Sequence, residues 1–218
     1  MCGIAGLFSK SSSFEQRLGD HLADMLIQMA DRGPDSAGVA FYRNPAPAGS
    51  SKLTIFSPDE GYDWDLVAGE LSGAFGGSNG PEIRASHAVI VVQTDADDAG
   101  RWVLDNHPEL RLMSAGQAIE IYKEKGDPRE FVERFGLREL SATHALGHTR
   151  MATESIVTTE HSHPFSTGLD LCLVHNGSLC NHNRLREELR REGITIQTDN
   201  DSEVAAAYLT WKMREGAS

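Results

Sequence analysis

Cysteine is the second residue of the chain, which opens with MCGIAGLFSK. The thiolate is the reactive form of cysteine, and its usual pKa of about 8.5 means that a nearby base must help to form it. Removal of Met1 would give Cys2 its own α-amino group, with a pKa of about 7.7–8.0. One residue would then carry a nucleophile and a general base. The alternative is that Cys2 is a small, buried, apolar side chain.

Further residues that could bind or activate a substrate fall in short motifs, which are RGPDSAG, GHTRMAT, HPF, LVHNGSL and TDNDSE. Together with the opening MCGIAGLF, and in this order, these motifs resemble the class II glutamine amidotransferases, which are N-terminal-nucleophile hydrolases. The resemblance covers residues 1–43 and 144–211 and is thin in between. Within the family, the chain is most similar in character to stand-alone glutaminase subunits of glutamate-synthase-like and N-methylglutamate-synthase-like enzymes.

The resemblance implies hydrolysis of the side-chain amide of L-glutamine, in which Cys2 forms a glutamyl thioester and ammonia is released. Asn176 and Gly177 match the oxyanion hole of the family. There the asparagine amide and the glycine backbone N–H stabilise the negative oxygen of the tetrahedral intermediate. The alternative for this pair is a plain Asn-Gly turn.

The same resemblance implies how the amino-acid end of glutamine is bound. Arg150 matches the arginine that binds the α-carboxylate, because a planar guanidinium can bond to both oxygens. Thr153 matches a hydroxyl contact to this carboxylate, and Asp201 matches the acid that receives the substrate ammonium. Without the resemblance, Arg150 would be read as an ion-pair residue, and Asp199 and Asp201 as helix-start residues.

The other polar motif residues are assigned no direct role in the reaction. We expect Asp35 and Arg32 to be structural and to hold the turn near the site. The nine histidines raise the alternative of a metal site, which would need three or four converging ligands. His144 and His148 lie in a predicted strand and do not form the helical ligand pair, so we predict no metal.

The composition limits the class of protein. The 218 residues suffice for one domain, and the net charge of −12 argues against nucleic-acid binding. The chain lacks both the roughly 20 consecutive apolar residues of a membrane span and a basic leader. Three cysteines are too few for a disulfide framework and indicate a reducing compartment. We therefore predict a cytoplasmic protein in which Cys172 and Cys180 are inert core thiols.

Apolar periodicity predicts the elements that position these residues. Strands are predicted at residues 4–8 and at VAFY, KLTIF, SHAVIVVQT, AIEIYKE and HALGHTRM. Helices are predicted from Leu18 to Met29, and at DDAGRWVLDN, PREFVERF, NRLREELRREG and TDNDSEVAAAYLTWKM. The glycine-rich stretch at 69–82 is predicted to be a loop, and HSHPF a turn.

Two local features near the C-terminal motifs carry further predictions. LDLCLVHNG is predicted to be a buried strand that ends at Asn176 and Gly177. Asn200 and Glu203 have the spacing of a reciprocal pair at the start of the last helix. Because strands and helices mix without strict alternation, we predict the α+β class with antiparallel sheets. The resemblance implies the four-layer αββα sandwich of N-terminal-nucleophile hydrolases.

We interpret residues 1–218 as one glutamine amidotransferase type 2 domain with a divergent or inserted region at 44–140. The family normally continues beyond its aspartate-bearing helix with strands that complete the sandwich, whereas this sequence stops at Ser218. We expect the sequence to be a fragment. The alternatives are that the middle region substitutes for those strands or that another chain completes the layer.

The resemblance also implies a partner. We expect ammonia to pass to a synthase subunit that contains FMN and an iron–sulfur cluster and makes glutamate or N-methylglutamate, with no cofactor in this chain. Two alternatives are a non-catalytic, glutamine-binding regulatory subunit and an N-terminal-nucleophile acylase that acts on another amide. The presence of Cys2, Asn176 and Gly177 argues against the first. The Arg150 and Asp201 pair favours an amino-acid substrate over the second.

Overall fold

The computed structural model describes residues 2–77, 80–152 and 156–217. The strands are β1 (Gly3–Phe8), β2 (Ser36–Tyr42), β3 (Ser51–Phe56), β4 (Glu82–Arg84), β5 (His87–Val92), β6 (Arg111–Gly116), β7 (Ile119–Lys125), β8 (His144–Arg150), β9 (Phe165–Gly168) and β10 (Leu171–Leu173). The α-helices are α1 (Ser12–Glu15), α2 (Leu18–Met29), α3 (Trp64–Phe75), α4 (Ala96–Asn106), α5 (Pro128–Arg134), α6 (His182–Arg191) and α7 (Asp201–Arg214).

Strands β1, β8, β2 and β7 form an antiparallel sheet in that order. Helix α2 covers one face of this first sheet because its apolar residues recur every three or four positions. Leu22 and Leu26 of the helix share a core with Ala5 of β1 and Val39 of β2. The first predicted strand and the first long predicted helix are therefore confirmed.

The middle of the chain, which we expected to be a divergent or inserted region, builds a second antiparallel sheet. Its strand order is β4-β5-β3-β6. One face, which includes Ile55 and Ile90, packs on α3 and α4. The other face contributes Phe56 and Met113 to a core with Ile121 of β7. The layers follow the order helix, sheet, sheet, helix, which confirms the α+β class and agrees with the predicted sandwich.

The glycine-rich stretch at 69–82 is not wholly the loop that we predicted, because α3 continues through it to Phe75. Asp63 caps this helix by accepting a hydrogen bond from the backbone N–H three residues later at 3.0 Å. Val67 and Leu71, four residues apart, are buried against the second sheet. Their burial outweighs the cost of glycine in a helix, which is about 1 kcal/mol relative to alanine.

The predicted long strand at LDLCLVHNG was also wrong. Strand β10 covers only Leu171–Leu173, and all three residues are half-buried. The cause is that β10 and β9 form a two-stranded sheet, which has too few neighbours to enclose both faces. Helix α7 packs on this hairpin and shares a small core with α6.

Asn200 caps α7 as predicted, because its side-chain oxygen accepts a hydrogen bond from the Ser202 backbone N–H at 2.8 Å. Glu203 does not return to Asn200, however. Its carboxylate accepts hydrogen bonds from the backbone N–H groups of Gln197 and Thr198, at 2.7 and 2.6 Å. The reciprocal half of the prediction was wrong, because this buried carboxylate is satisfied by the segment that leads into the helix.

Candidate active site

The Cys2 thiol lies at one end of the first sheet, immediately before β1. It is half-buried, and its Sγ atom is 3.8 Å from the backbone carbonyl oxygen of Met151. Gly3 pairs with Thr149 in antiparallel register, so the start of β1 lies beside the end of β8. The thiol and Arg150 therefore share this end of the sheet.

The residue after Cys2 is closely enclosed by side chains of α2 and β8. A Cβ atom on Gly3 would lie 2.7 Å from Sδ of Met29 and 2.8 Å from Oγ1 of Thr149. A larger residue at this position would therefore force these side chains to move in a close-packed interior. The Cys-Gly pair of the opening motif thus reflects how closely α2 packs on β1 beside the thiol.

Arg150 is the last residue of β8 and is only 5% exposed. Its Nη1 atom donates hydrogen bonds to the backbone carbonyls of Ile156 at 3.3 Å and His161 at 3.2 Å. Both carbonyls come from the segment that follows β8, so this segment folds back and holds the guanidinium. A guanidinium fixed in this way loses less entropy when it binds a carboxylate.

Asp35 fixes the chain that joins Arg150 to Ala152. Its backbone N–H donates to the Arg150 carbonyl at 3.0 Å, and its Oδ2 accepts a hydrogen bond from the Ala152 N–H at 2.7 Å. The structural role predicted for Asp35 is therefore confirmed. Arg32 is exposed, and its role stays a prediction.

Asn176 and Gly177 are exposed and lie shortly after β10. The preceding residue, His175, is fixed to the start of α7, with its Nδ1 atom 3.0 Å from the Ser202 hydroxyl. A Cβ atom on Gly177 would lie 2.7 Å from the His175 ring, so a larger residue here would displace that ring. The segment is thus anchored while the Asn176 side chain stays accessible.

Asp201 is the first residue of α7, and its Oδ2 accepts a hydrogen bond from the Leu179 backbone N–H at 2.7 Å. It therefore lies beside the segment that carries Asn176. Asp199 instead contacts the His161 ring, with Oδ1 2.7 Å from Nε2. Of the two aspartates, Asp201 is the one next to the predicted oxyanion residues.

The predicted site residues thus fall into two groups, which are Cys2 with Arg150, and Asn176 and Gly177 with Asp201. Among the described residues, the Cys2 thiol contacts the Met151 carbonyl and makes no hydrogen bond with Asn176 or Gly177. Thr153 lies outside the described residues, as does Met1. The assignment of Thr153 to the substrate carboxylate therefore stays a prediction.

A buried pair of histidines that we did not predict lies near both groups. His148 lies two residues before Arg150 in β8 and so on the same face of the sheet. Its ring stacks on that of His163 with centroids 4.2 Å apart, and His175 lies close enough to influence the pKa of His148. Side-chain alternation along β8 was the sequence signal that could have revealed its position.

Both rings of this pair are held neutral. Burial lowers the pKa of His148 to about 4, and burial together with nearby positive charge lowers that of His163 to about 2. In the part of the chain that is described, Nε2 of His148 and both ring nitrogens of His163 are buried without a hydrogen-bond partner. Such unpaired atoms cost free energy. The pair is therefore polar but uncharged.

The prediction of two core thiols is correct only in part. Cys172 is half-buried, and burial raises the pKa of its thiol. Cys180 is exposed, because the strand that was expected to bury it ends at Leu173.

Within residues 2–77, 80–152 and 156–217, no group of three or more His, Cys, Asp or Glu side chains could hold a metal ion. No helix there is both long and apolar enough to cross a membrane.

Comparison with known proteins gives consistent matches. A family described as "Glutamine amidotransferase domain" matches residues 137–215. The "Glutamine amidotransferase-like protein GlxB" of Rhizobium meliloti is 52% identical over 217 residues, which cover 99% of this chain and 71% of that protein. The "Putative glutamine amidotransferase" of Methanothermobacter thermautotrophicus is 30% identical over 228 residues, which cover 100% of this chain and 74% of that protein.

A more distant relative has a larger chain. The glutamine–fructose-6-phosphate aminotransferase of Aquifex aeolicus is 36% identical over 106 residues, which cover 48% of this chain and 18% of that enzyme. The two matches that span nearly all of this chain, together with an N-terminal Cys-Gly pair placed beside a buried arginine, lead to one assignment. This chain belongs to the class II glutamine amidotransferases.

Proposed function

We propose that this chain hydrolyses the side-chain amide of L-glutamine with Cys2 as the nucleophile and passes the ammonia to a separate synthase subunit. One observation carries the proposal. The thiol lies 3.8 Å from the carbonyl of Met151, the residue that follows the buried Arg150. A glutamine whose α-carboxylate binds Arg150 can therefore extend its side chain along this end of the sheet to the thiol.

The reaction begins once Met1 has been removed. The α-amino group of Cys2 accepts the thiol proton, and the sulfur attacks the amide carbon of glutamine. The C–N bond then breaks, and the same proton passes to the nitrogen, which leaves as ammonia. Water attacks the thioester, the C–S bond breaks, and glutamate and the free thiol are released.

The negative oxygen formed in both steps needs hydrogen-bond donors. We assign this role to the Asn176 side-chain amide and the Gly177 backbone N–H. Support comes from the anchoring of their neighbours, His175 and Leu179, to the start of α7. Because Asn176 itself is exposed, its amide is available to a substrate that approaches Cys2.

The amino-acid end of glutamine is assigned to three residues. Arg150 and Thr153 bind the α-carboxylate, and Asp201 binds the ammonium. Oδ2 of Asp201 accepts from the Leu179 N–H at 2.7 Å and Oδ1 from the Ser202 hydroxyl at 3.4 Å, and the carboxylate has further lone pairs with which to accept from the substrate ammonium.

The ammonia acceptor is a partner subunit with FMN and an iron–sulfur cluster that makes glutamate or N-methylglutamate. The sequence resemblance supports this part of the proposal. The Aquifex relative adds support for an acceptor elsewhere, because the matching segment is only 18% of an enzyme named for glutamine and fructose 6-phosphate.

An ammonia-release assay tests the proposal, with processed wild-type protein and Cys2→Ala on a panel of glutamine, asparagine and simple acyl amides. We expect hydrolysis of glutamine by the wild type and none above background by Cys2→Ala with unchanged circular dichroism. Activity in Cys2→Ala would contradict the proposed nucleophile. Glutamine binding without turnover would favour the regulatory alternative, and preference for acyl amides the acylase.

A further inference from the structure

Lys123 of β7 is a buried lysine whose ammonium group is surrounded by backbone carbonyls. Its Nζ donates to the carbonyls of Glu160 at 3.0 Å, Ser162 at 2.9 Å and Pro164 at 3.4 Å. An ammonium group has three N–H donors, so each has one acceptor. This one side chain thus fixes three residues of the segment that follows Arg150.

The interior is an unfavourable place for this charge. Lys123 is only 4% exposed, and burial lowers the pKa of its ammonium group to about 8 against the opposing effect of Glu203 and Glu160. An apolar residue of similar size would avoid the loss of hydration. The presence of a lysine is therefore best explained by the segment that it holds.

That segment, residues 160–164, lies directly on the first sheet. Gly38 of β2 pairs with Lys123, and a Cβ atom on Gly38 would collide with the carbonyl oxygen of His163. The missing side chain at Gly38 lets the segment approach closely enough for Lys123 to reach its carbonyls.

His161 lies between two of the residues that Lys123 holds. Its carbonyl accepts a hydrogen bond from Nη1 of Arg150 at 3.2 Å. Its ring is held as well, with Nδ1 2.8 Å from the Thr158 hydroxyl and Nε2 2.7 Å from Asp199. A shift of the segment would therefore move an acceptor that orients the guanidinium.

We propose that Lys123 is a positioning residue for glutamine, because through residues 160–164 it keeps the His161 carbonyl where it orients Arg150 toward the substrate carboxylate. The inference rests on the proposed function and adds a residue that acts only through Arg150. Loss of Lys123 should therefore weaken glutamine binding more than it slows the chemical steps at Cys2.

The test compares Lys123→Met with Lys52→Met. Lys52 is the control: it is also buried and donates to the backbone carbonyl of Arg43 and to the Glu120 carboxylate, both at 2.8 Å, and both partners lie outside residues 160–164. We expect Lys123→Met to raise KM for glutamine about tenfold or more with kcat within about threefold of wild type. Lys52→Met should leave KM unchanged.

A double variant decides whether the effect passes through Arg150. In an Arg150→Lys background, Lys123→Met should raise KM by less than about twofold, since residues that act through one another are not additive. Fully additive effects, or an unchanged KM in Lys123→Met, would overturn the inference.

Two outcomes distinguish a failure of the proposed function from a failure of this inference. A wild-type protein that releases no ammonia from glutamine overturns both the proposed function and this inference, whereas an active wild type with an unchanged KM in Lys123→Met overturns only the latter. If Lys123→Met does not fold, Lys123→Gln replaces it, because its shorter side chain has only two N–H donors for the three carbonyls and so should hold the segment less firmly. A raised KM in Lys123→Gln supports the inference, and an unchanged KM overturns it.

Discussion

The imidazole rings of His148 and His163 stack with their centroids 4.2 Å apart, beneath the end of the sheet that carries Arg150. His163 also meets Phe165 edge-on, with ring centroids 4.9 Å apart. Because both rings are buried, a proton on either would lie in a poorly solvated interior. The pair should therefore make the stability of this end of the first sheet fall as the pH is lowered.

Replacing His163 with phenylalanine should reduce the loss of stability in acid. Its native pKa of about 2 lies below the unfolded value of about 6.5, so the unfolded state takes up the proton first and stability falls as the pH falls below 6.5. Between pH 7.5 and 5.5 this proton uptake lowers the free energy of unfolding of the wild type by about 1.4 kcal/mol. The His163→Phe variant lacks the titrating ring and should not lose this amount. Urea unfolding at both pH values measures the difference.

Leu53→Ala is the control for the acid experiment. Leu53 is fully buried in the second sheet, and its truncation should lower the free energy of unfolding by about 2–5 kcal/mol equally at both pH values. If His163→Phe lost as much stability in acid as the wild type, His163 would not be held neutral in the native state.

Arg150→Lys should weaken glutamine binding. An ammonium group cannot reproduce the two-pronged contact of a guanidinium with a carboxylate, and such charged hydrogen bonds contribute about 1.5–3 kcal/mol. KM should therefore rise about tenfold or more with a smaller change in kcat. Steady-state kinetics with Arg184→Lys, an exposed arginine of α6, provides the comparison. An unchanged KM in Arg150→Lys would remove Arg150 from the binding site.

A peptide extension before Cys2 should abolish the release of ammonia from glutamine until the extension is cleaved off. The proposed base is the α-amino group, and an amide at this position cannot accept the thiol proton. Loss of a general base typically lowers rates by about 10²–10⁴-fold. Ammonia release is measured before and after cleavage of an extension that ends at Cys2, with the mass of the N-terminus checked each time. Equal activity in the uncleaved protein would rule out the α-amine as base.

The sequence predicted the elements whose pattern is local. The periodicity of Leu22 and Leu26 revealed α2, and Asn200 marked the start of α7. Prediction of secondary structure from the sequence failed where packing against distant segments determined how far an element extends. Helix α3 persists through glycines because Val67 and Leu71 are buried by the second sheet.

For the site, the motifs identified residues but not what holds them. Asp35 could be assigned a structural role because it lies in a tight turn motif. The partners of Lys123 could not be predicted, since Glu160 and Pro164 are close to it only after the chain has crossed from β7 to the segment beyond β8. Contacts between residues so far apart in sequence leave no local pattern.

Asn176→Ala should lower kcat about 10²–10³-fold with little change in KM, because an oxyanion donor acts mainly in the transition state. The free energy of unfolding should change little, since Asn176 is exposed. Asn181 is the matched control: it is also exposed, precedes α6 and makes no side-chain cap bond, so Asn181→Ala should retain wild-type kcat. Steady-state kinetics and urea unfolding of both variants measure these effects. Equal kcat values in the two variants would leave Asn176 as an ordinary turn residue.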